Sequence, residues 1–260
     1  MNHITPVVKK LLLLNVTIFF VQNLLRLDLI DSLGLRYIFS ECFRPYQFFT
    51  HLFIHVNLGH LFSNMFAVLT FGPALERTLN SKTFIAFYIM TGLGAAVLYA
   101  GIQYIEIGKL EALYRAYLVQ PDPKSFVAYL KHFPHHTYST FHPFISTFCE
   151  HPDDLTYIAN SKVLVSRLYA LKANMPTVGA SGSVFGIFMA FAMLFPNAEL
   201  FLFLMPFPVK AKYVIASYGA YELYAGIRDN PKDNVAHFAH LGGILFAYLF
   251  IQWWRRRRYD

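Results

Sequence analysis

Three apolar stretches of the chain carry polar side chains that together suit acyl transfer. One contains His60 and Asn64, another opens with Ser181, and the last contains His240. A serine hydroxyl is a weak nucleophile until a base takes its proton, and histidine can do this near neutral pH. The tetrahedral intermediate also needs donors aimed at its oxyanion, and His60 and Asn64, four residues apart, share one helix face. We therefore predict Ser181 as nucleophile, His240 as general base, and His60 with Asn64 as oxyanion donors.

No carboxylate stands near the predicted base in the sequence. Asp233 precedes His240 by seven residues, about 10 Å of helical rise, which is too far to orient the imidazole directly. We therefore predict a Ser-His dyad. Glu222 lies in an apolar stretch, and we expect it to face a buried partner or a cavity rather than to act chemically. We expect His237, nearer the end of its stretch, to be solvated or interfacial.

The elements that position these residues are predicted to be membrane-spanning helices. Of the 260 residues, 56% are hydrophobic and only 14% are charged, against roughly 25% charged residues in an average soluble domain. A soluble fold could not cover so much apolar surface, and a disordered chain would be poor in aromatic residues. A transmembrane β-barrel would show short alternating segments instead of long apolar runs. The composition thus predicts an all-α integral membrane protein.

Six apolar segments approach the ~20 residues that cross the hydrocarbon core. The predicted spans are residues 7–27, 48–71, 84–104, 178–195, 210–227 and 235–254, within a single domain over residues 1–260. Basic residues are most frequent at the span ends that lie on the same side of the membrane as the two termini. Inner loops are rich in Lys and Arg, so both termini are predicted to be inside. These basic residues are Lys9, Lys10, Arg77, Lys82, Lys210, Lys212 and Arg255 to Arg258. All the predicted site residues then lie in the outer halves of spans two, four and six. We expect the protein in a cell membrane.

Residues 105–177 contain no apolar run long enough to span and are predicted to be an outer insertion between helices 3 and 4. We expect amphipathic helices there, with starts at Asp122 before Pro123 and at Asp154.

Ser181 lies near the start of the fourth predicted span, whereas His60 lies well inside the second. Both reach one depth only if a non-helical segment around residues 175–177 descends beside a water-filled cavity that opens outward.

Small residues accompany the predicted nucleophile and base. Gly182 and Gly186 are four residues apart, as are Gly243 and Ala247. Such pairs let helices approach closely in lipid, which a serine and a histidine on different helices require. A hydrolase elbow of the form Gly-x-Ser-x-Gly is excluded, because the second glycine comes one position early and an apolar span follows. We predict packing roles for Gly179, Gly182, Gly186 and Gly243.

Taken together, these motifs resemble the rhomboid family of intramembrane serine proteases. The resemblance rests on His51, His55, His60 and Asn64, on Gly179-Ala180-Ser181-Gly182 with Gly186, and on Ala239-His240-Leu241-Gly242-Gly243. It implies a six-span bundle that hydrolyses peptide bonds in or near transmembrane segments of membrane-protein substrates, without metal or cofactor. It implies the same roles for Ser181, His240, His60 and Asn64. The long outer loop and Ala247, where the family commonly has glycine, depart from the family pattern.

Other classes fit the sequence less well. A catalytically silent rhomboid-like factor that binds membrane proteins is the alternative, but such a protein would be expected to lack the serine or the histidine. A channel would carry polar residues through its full depth. The histidines of the outer loop match no standard metal site. The two cysteines form neither a metal pattern nor a disulfide framework. The terminal arginines fit a membrane interface better than a nucleic-acid binding site. We expect lipid and transmembrane substrates as partners, no metal, no cofactor and no nucleic acid; the oligomeric state is not specified.

Overall fold

The computed structural model describes residues 4–201, 207–228 and 235–259, which are mostly helical. The helices are α1 (Pro6–Leu24), α2 (Leu29–Leu33), α3 (Gln47–Thr50), α4 (Leu58–Leu79), α5 (Ser81–Val119), α6 (Pro123–Leu130), α7 (His135–Glu150), α8 (Leu155–Ala173), α9 (Ser181–Leu194), α10 (Ala211–Arg228) and α11 (His237–Tyr259). A 3₁₀ turn, His51–Phe53, follows α3. Strands β1 (Glu199–Leu200) and β2 (Val209–Lys210) pair antiparallel, with Glu199 opposite Lys210.

Within the described residues, three helices are long and apolar enough to cross a membrane: α1, α4 and α5. Helix α9 is strongly apolar but has only 14 residues, and α11 has 23 residues but begins with two histidines in its first turn and ends in arginines. The prediction of a helical protein with membrane-spanning character is therefore confirmed. The count of six spans stays a prediction.

Contacts between helix ends show that α4, α9 and α11 run in one direction and α1 and α5 in the other. Near the end of α4, the Glu76 carboxylate accepts hydrogen bonds from the backbone N–H groups of Val7 and Val8 at the start of α1, both at 3.0 Å. The hydroxyl of Ser81 at the start of α5 donates to the same carboxylate at 2.6 Å. Near the end of α11, Arg255 donates to the Met193 carbonyl of α9 at 2.6 Å. The ends of α4 and α11 also meet, since Thr78 and Trp254 line one small cavity. These contacts therefore gather at the end of the bundle where the basic residues predict the inner side.

Two predicted spans have different bounds in the structure. The second was predicted to begin at residue 48, but α4 begins at Leu58, where the Asn57 side chain caps it by accepting a hydrogen bond from the His60 N–H at 2.8 Å. The third was predicted to end at residue 104, but α5 runs on to Val119. Its extension has no proline before Pro121 to stop it. The first part of the predicted insertion therefore continues a spanning helix.

The rest of the insertion folds around a hydrophobic core of its own. The end of α5 packs with α6, α7 and α8 around buried residues that include Phe126, Leu130, Phe148 and Val165. The predicted helix starts are confirmed: Asp122 caps α6 and Asp154 caps α8. Hydrogen bonds from Ser125 hold the pKa of the Asp122 carboxyl below its usual range, so this cap stays ionised at neutral pH. Helix α7 was not predicted, and the helices of the insertion pack on one another.

Candidate active site

A cavity of about 710 Å³ lies between α4, α5, α9, α10, α11 and the segment that precedes α9. Its lining includes the four side chains for which the sequence predicts chemical roles: Ser181, His240, His60 and Asn64. The first three stand in the opening turns of α9, α11 and α4, and Asn64 follows one turn after His60. The helix starts therefore bring together residues that are up to 180 positions apart in the chain.

Ser181 is the first residue of α9 and is half-buried. The first N–H groups of an α-helix have no partner within the helix, so those of Ser181 and Gly182 add donors beside the hydroxyl. The neighbouring Ser183 is fully buried, and its hydroxyl donates to the Tyr88 carbonyl at 2.7 Å. The structure thus separates a serine that faces the cavity from one that ties α9 to α5.

The segment before α9 is non-helical and is held by backbone hydrogen bonds. Leu35 and Thr177 exchange two N–H···O bonds, each 2.8 Å long, and the Gly179 N–H donates to the His51 carbonyl at 2.9 Å. Gly179 has φ +126°, and a Cβ there would lie 2.6 Å from two atoms of the His60 ring. Only glycine fits this conformation and this contact. The segment lines the cavity, as the predicted descent at residues 175–177 requires.

His60 and Asn64 occupy one face of α4. The His60 ring is half-buried and meets the His55 ring edge-on, with centroids 5.0 Å apart. Asn64 is buried, and its side-chain amide donates one hydrogen bond to the His60 carbonyl at 2.9 Å. An amide nitrogen carries two hydrogens, so a second donor remains. His51 is buried, with Nδ1 2.9 Å from the Gln47 carbonyl.

His240 is fixed by a stacking contact and a hydrogen bond. Its ring stacks on Phe185 of α9, with centroids 4.1 Å apart and planes 10° from parallel. Its Nδ1 lies 2.9 Å from Oε2 of Glu222 in α10. Because an ionised carboxylate only accepts hydrogen bonds, this contact favours the proton on Nδ1, and the neutral ring then has its lone pair on Nε2. This is the tautomer that a general base needs.

The contact with Glu222 corrects two expectations. We predicted no carboxylate within reach of His240, yet Glu222 reaches it from the preceding helix. We also expected a solvated His237, but His237 is buried and its Nδ1 lies 2.6 Å from the same Oε2. Glu222 itself is 2% exposed, so its predicted burial beside a partner is confirmed. A signal was available in the sequence: an acidic residue in one apolar stretch and two histidines three residues apart in the next.

The glycines pack α9 tightly between two helices. A Cβ at Gly243 of α11 would lie 2.0 Å from the Gly182 carbonyl oxygen, and one at Gly182 would lie 2.6 Å from the Ala95 Cβ of α5. A Cβ at Gly186 would meet Thr91 of α5 at 2.8 Å. Gly186 therefore contacts α5 rather than the last helix, which the sequence had suggested as its neighbour. The absence of side chains at these positions lets α9 and α11 approach each other at the site.

One group in the site has the composition of a metal-ligand set. Glu222, His237 and His240 each present a ligand atom, and these atoms lie within 4.8 Å of one another. Imidazole and carboxylate are ligands for several transition metals. The 2.6 and 2.9 Å contacts of Oε2 are hydrogen-bond lengths, which accounts for the grouping without an ion. The expectation that the protein needs no metal stays a prediction.

The fold and the site together define a helical membrane protein with a serine, a carboxylate-bound histidine and amide donors in one cavity. Comparison with known families agrees with this class. The family model of the Rhomboid domain matches residues 43–106 and 155–257, and these ranges contain Ser181, His240, His60 and Asn64. The unmatched stretch between them falls within the insertion. The chain belongs to the rhomboid family.

Two curated proteins are similar to this chain. "RHOMBOID-like protein 12, mitochondrial" of Arabidopsis thaliana is 24% identical over 217 residues, which cover 83% of this chain and 47% of the plant protein. "Rhomboid protein 1, mitochondrial" of Saccharomyces cerevisiae is 36% identical over 76 residues, which cover 29% of this chain and 21% of the yeast protein. The chain thus spans about half or less of the length of these relatives. Both names give a mitochondrial location, so the predicted cell membrane location is not confirmed.

Proposed function

We propose that this rhomboid-family chain is an intramembrane serine endopeptidase that hydrolyses peptide bonds in or near the transmembrane segments of membrane-protein substrates. The observation that carries the proposal is the single cavity lined by Ser181, His240, His60 and Asn64. In addition, His240 Nδ1 lies at hydrogen-bond distance from Glu222, which leaves Nε2 as the nitrogen that would accept the serine proton. A silent binding factor would need neither arrangement.

In the acylation step, the Ser181 Oγ attacks the carbonyl carbon of the scissile peptide bond while His240 Nε2 takes the hydroxyl proton. The carbonyl oxygen becomes an oxyanion, which accepts hydrogen bonds from the His60 ring, the Asn64 amide and the N–H groups at the start of α9. When the C–N bond breaks, His240 returns the proton to the leaving amine. The products of this step are an ester on Ser181 and the released C-terminal fragment.

Deacylation repeats the chemistry with water as the nucleophile. His240 takes a proton from the water, the resulting hydroxide adds to the ester carbonyl, and the same donors hold the second oxyanion. Collapse of this intermediate breaks the bond to the Ser181 Oγ, which recovers its proton from His240. The N-terminal fragment leaves as a carboxylic acid. The cavity that opens to the outer side would supply the water.

The proposal includes a membrane topology and a location. Six spans are formed by α1, α4, α5, α9, α10 and α11, with both termini inside and the site in the outer half. The opposed directions of the helices and the basic end of the bundle support this arrangement. The first turns of α4, α9 and α11 then lie at one depth on the outer side. We propose the cell membrane as the location.

The proposal is tested by cleavage of a single-span membrane protein after reconstitution in proteoliposomes. The wild-type chain should cleave it, and Ser181→Ala should reduce cleavage to background. Ser183→Ala is the matched control: its hydroxyl bonds to a backbone carbonyl away from the cavity, and most activity should remain. Cleavage by Ser181→Ala at near wild-type rate would rule out the proposed nucleophile. Lack of cleavage by the wild type across a panel of such substrates would favour the silent alternative.

A further inference from the structure

Glu222 joins two histidines through one carboxylate oxygen. Its Oε2 lies 2.6 Å from Nδ1 of His237 and 2.9 Å from Nδ1 of His240. Glu222 is 2% exposed and both histidines are 8% exposed. His237 and His240 are three residues apart on α11, so both present a nitrogen to the same side, where α10 brings the carboxylate. A buried ionised group is costly unless it is well paired, and two N–H donors pair this one.

We propose that Glu222 is a positioning residue for the base, so that Ser181, His240 and Glu222 form a triad in which His237 holds the carboxylate. This inference rests on the proposed protease function. The carboxylate acts before the reaction by fixing the position of the Nδ1 proton and the ring orientation. The alternative tautomer would place the proton on Nε2, and Nε2 could not then accept the Ser181 proton.

The carboxylate also acts during the reaction. When Nε2 takes the proton from the Ser181 hydroxyl, the His240 ring becomes an imidazolium whose other N–H already points to Glu222. The positive charge then forms 2.9 Å from a carboxylate oxygen in a buried site, where charges interact strongly. Glu222 remains ionised throughout, and the proton passes only between Ser181, His240 and the leaving amine.

Several described residues of α4, α9 and α11 line the cavity together with His240, and none of them is a carboxylate. The groups that face the site from those helices include His60 and Asn64 of α4, Ser181 and Phe185 of α9, and His237 of α11. Glu106 of α5 also lines the cavity, but the hydrogen bond to His240 Nδ1 comes from Glu222. The orienting role therefore falls on Glu222.

The test compares Glu222→Gln with Glu76→Gln in the 260-residue chain in lipid nanodiscs. Glutamine has nearly the same shape as glutamate and can still accept an N–H, but it lacks the charge. Glu222→Gln should lower kcat by ~10²–10⁴-fold with little change in KM, as loss of the carboxylate does in serine protease triads. Glu76 is also a buried carboxylate, but it ties α1 to α4 at the other end of the bundle. Glu76→Gln should retain kcat even if its unfolding temperature falls.

A second measurement reads the tautomer directly. In protein labelled with ¹⁵N-histidine, NMR should show His240 protonated on Nδ1, with the resonance assigned by its loss in His240→Gln. Glu222→Ala should increase the Nε2-protonated form. His237→Ala should lower kcat less than Glu222→Gln does, because His240 keeps its own bond to the carboxylate. A structural role alone would lower the unfolding temperature of these variants without moving the tautomer.

The outcomes separate this inference from the proposed function. An Nε2-protonated His240 in the wild type, or a folded Glu222→Gln with kcat within about twofold of wild type, overturns the positioning role. If Glu222→Gln fails to fold, the tautomer in the wild type decides. If the wild type shows no cleavage that depends on Ser181, the proposed function fails, and the spectrum still reports whether Glu222 holds the His240 proton.

Discussion

The contact between Gly243 and Gly182 gives a quantitative prediction for a single methyl group. Gly243 lies one turn after His240 on α11, and an added Cβ would lie 2.0 Å from the Gly182 carbonyl oxygen and 2.9 Å from its carbonyl carbon. Real Cβ contacts are essentially never below 3.0 Å. The obstructing atoms belong to the backbone of α9, so no side chain can rotate away. Gly243→Ala must therefore push α11 and α9 apart by at least about 1 Å.

This displacement acts directly on the proposed nucleophile and base. Ser181 precedes Gly182, and His240 is one turn from Gly243, so the two residues separate with their helices. A misplacement of about 1 Å commonly costs ~10²-fold in rate. Overpacking of this kind costs about 1–3 kcal/mol of stability. We therefore expect Gly243→Ala to remain folded, to lower kcat by ~10²-fold and to slow labelling of Ser181 by a fluorophosphonate to a similar degree.

The matched control is Gly101→Ala in α5, where an added Cβ would have nothing within 4 Å. Alanine favours helix over glycine by up to ~1 kcal/mol, so this variant should be as stable as the wild type or more so. Both variants are assayed for kcat in proteoliposomes and for thermal unfolding in detergent. A Gly243→Ala protein with wild-type kcat would refute the argument that this helix approach aligns the serine with the base.

Three further predictions concern the oxyanion donors, the topology and metal dependence. His60→Ala and Asn64→Ala should each lower kcat by ~10²–10³-fold with smaller effects on KM in steady-state kinetics; unchanged kcat in both would place the donors elsewhere. In a background without Cys42 and Cys149, which are free and exposed, Thr177→Cys should react with a membrane-impermeant maleimide added outside, and reaction only from inside would reverse the topology. Incubation with EDTA should leave kcat unchanged, whereas a loss restored by added zinc would show a required metal.

The sequence predicted the presence of most helices, because long apolar runs and capping residues are local signals. Asp122 and Asp154 mark helix starts through side-chain bonds two or three residues away, and the structure has both. The bounds of α4 and α5 were less predictable. Apolar residues continue across the 3₁₀ turn before α4, so hydropathy alone did not reveal the break at residues 54–57. In α5 the hydropathy falls after residue 104, but hydropathy does not end a helix, and the chain meets no proline until Pro121.

Glu222 shows what spacing along one helix cannot reveal. Asp233, seven residues before His240, is the nearest carboxylate in the sequence, and it lies outside the described residues. The carboxylate that reaches His240 comes instead from 18 residues away, across a helix-to-helix contact between α10 and α11. Such pairing depends on the rotation of each helix about its axis, which weakly amphipathic helices do not encode strongly. A carboxylate in an apolar span was the available clue, because burial requires it to have a partner.

The central claim, that Ser181 is a nucleophile activated by His240, is tested most directly by locating the covalent adduct of a fluorophosphonate. The purified protein is treated with the reagent, digested and mapped by mass spectrometry. The account predicts one adduct, on Ser181, that is absent in Ser181→Ala, nearly absent in His240→Ala and present in Ser183→Ala. An adduct on another serine, or equal labelling of Ser181 in wild type and His240→Ala, would contradict it.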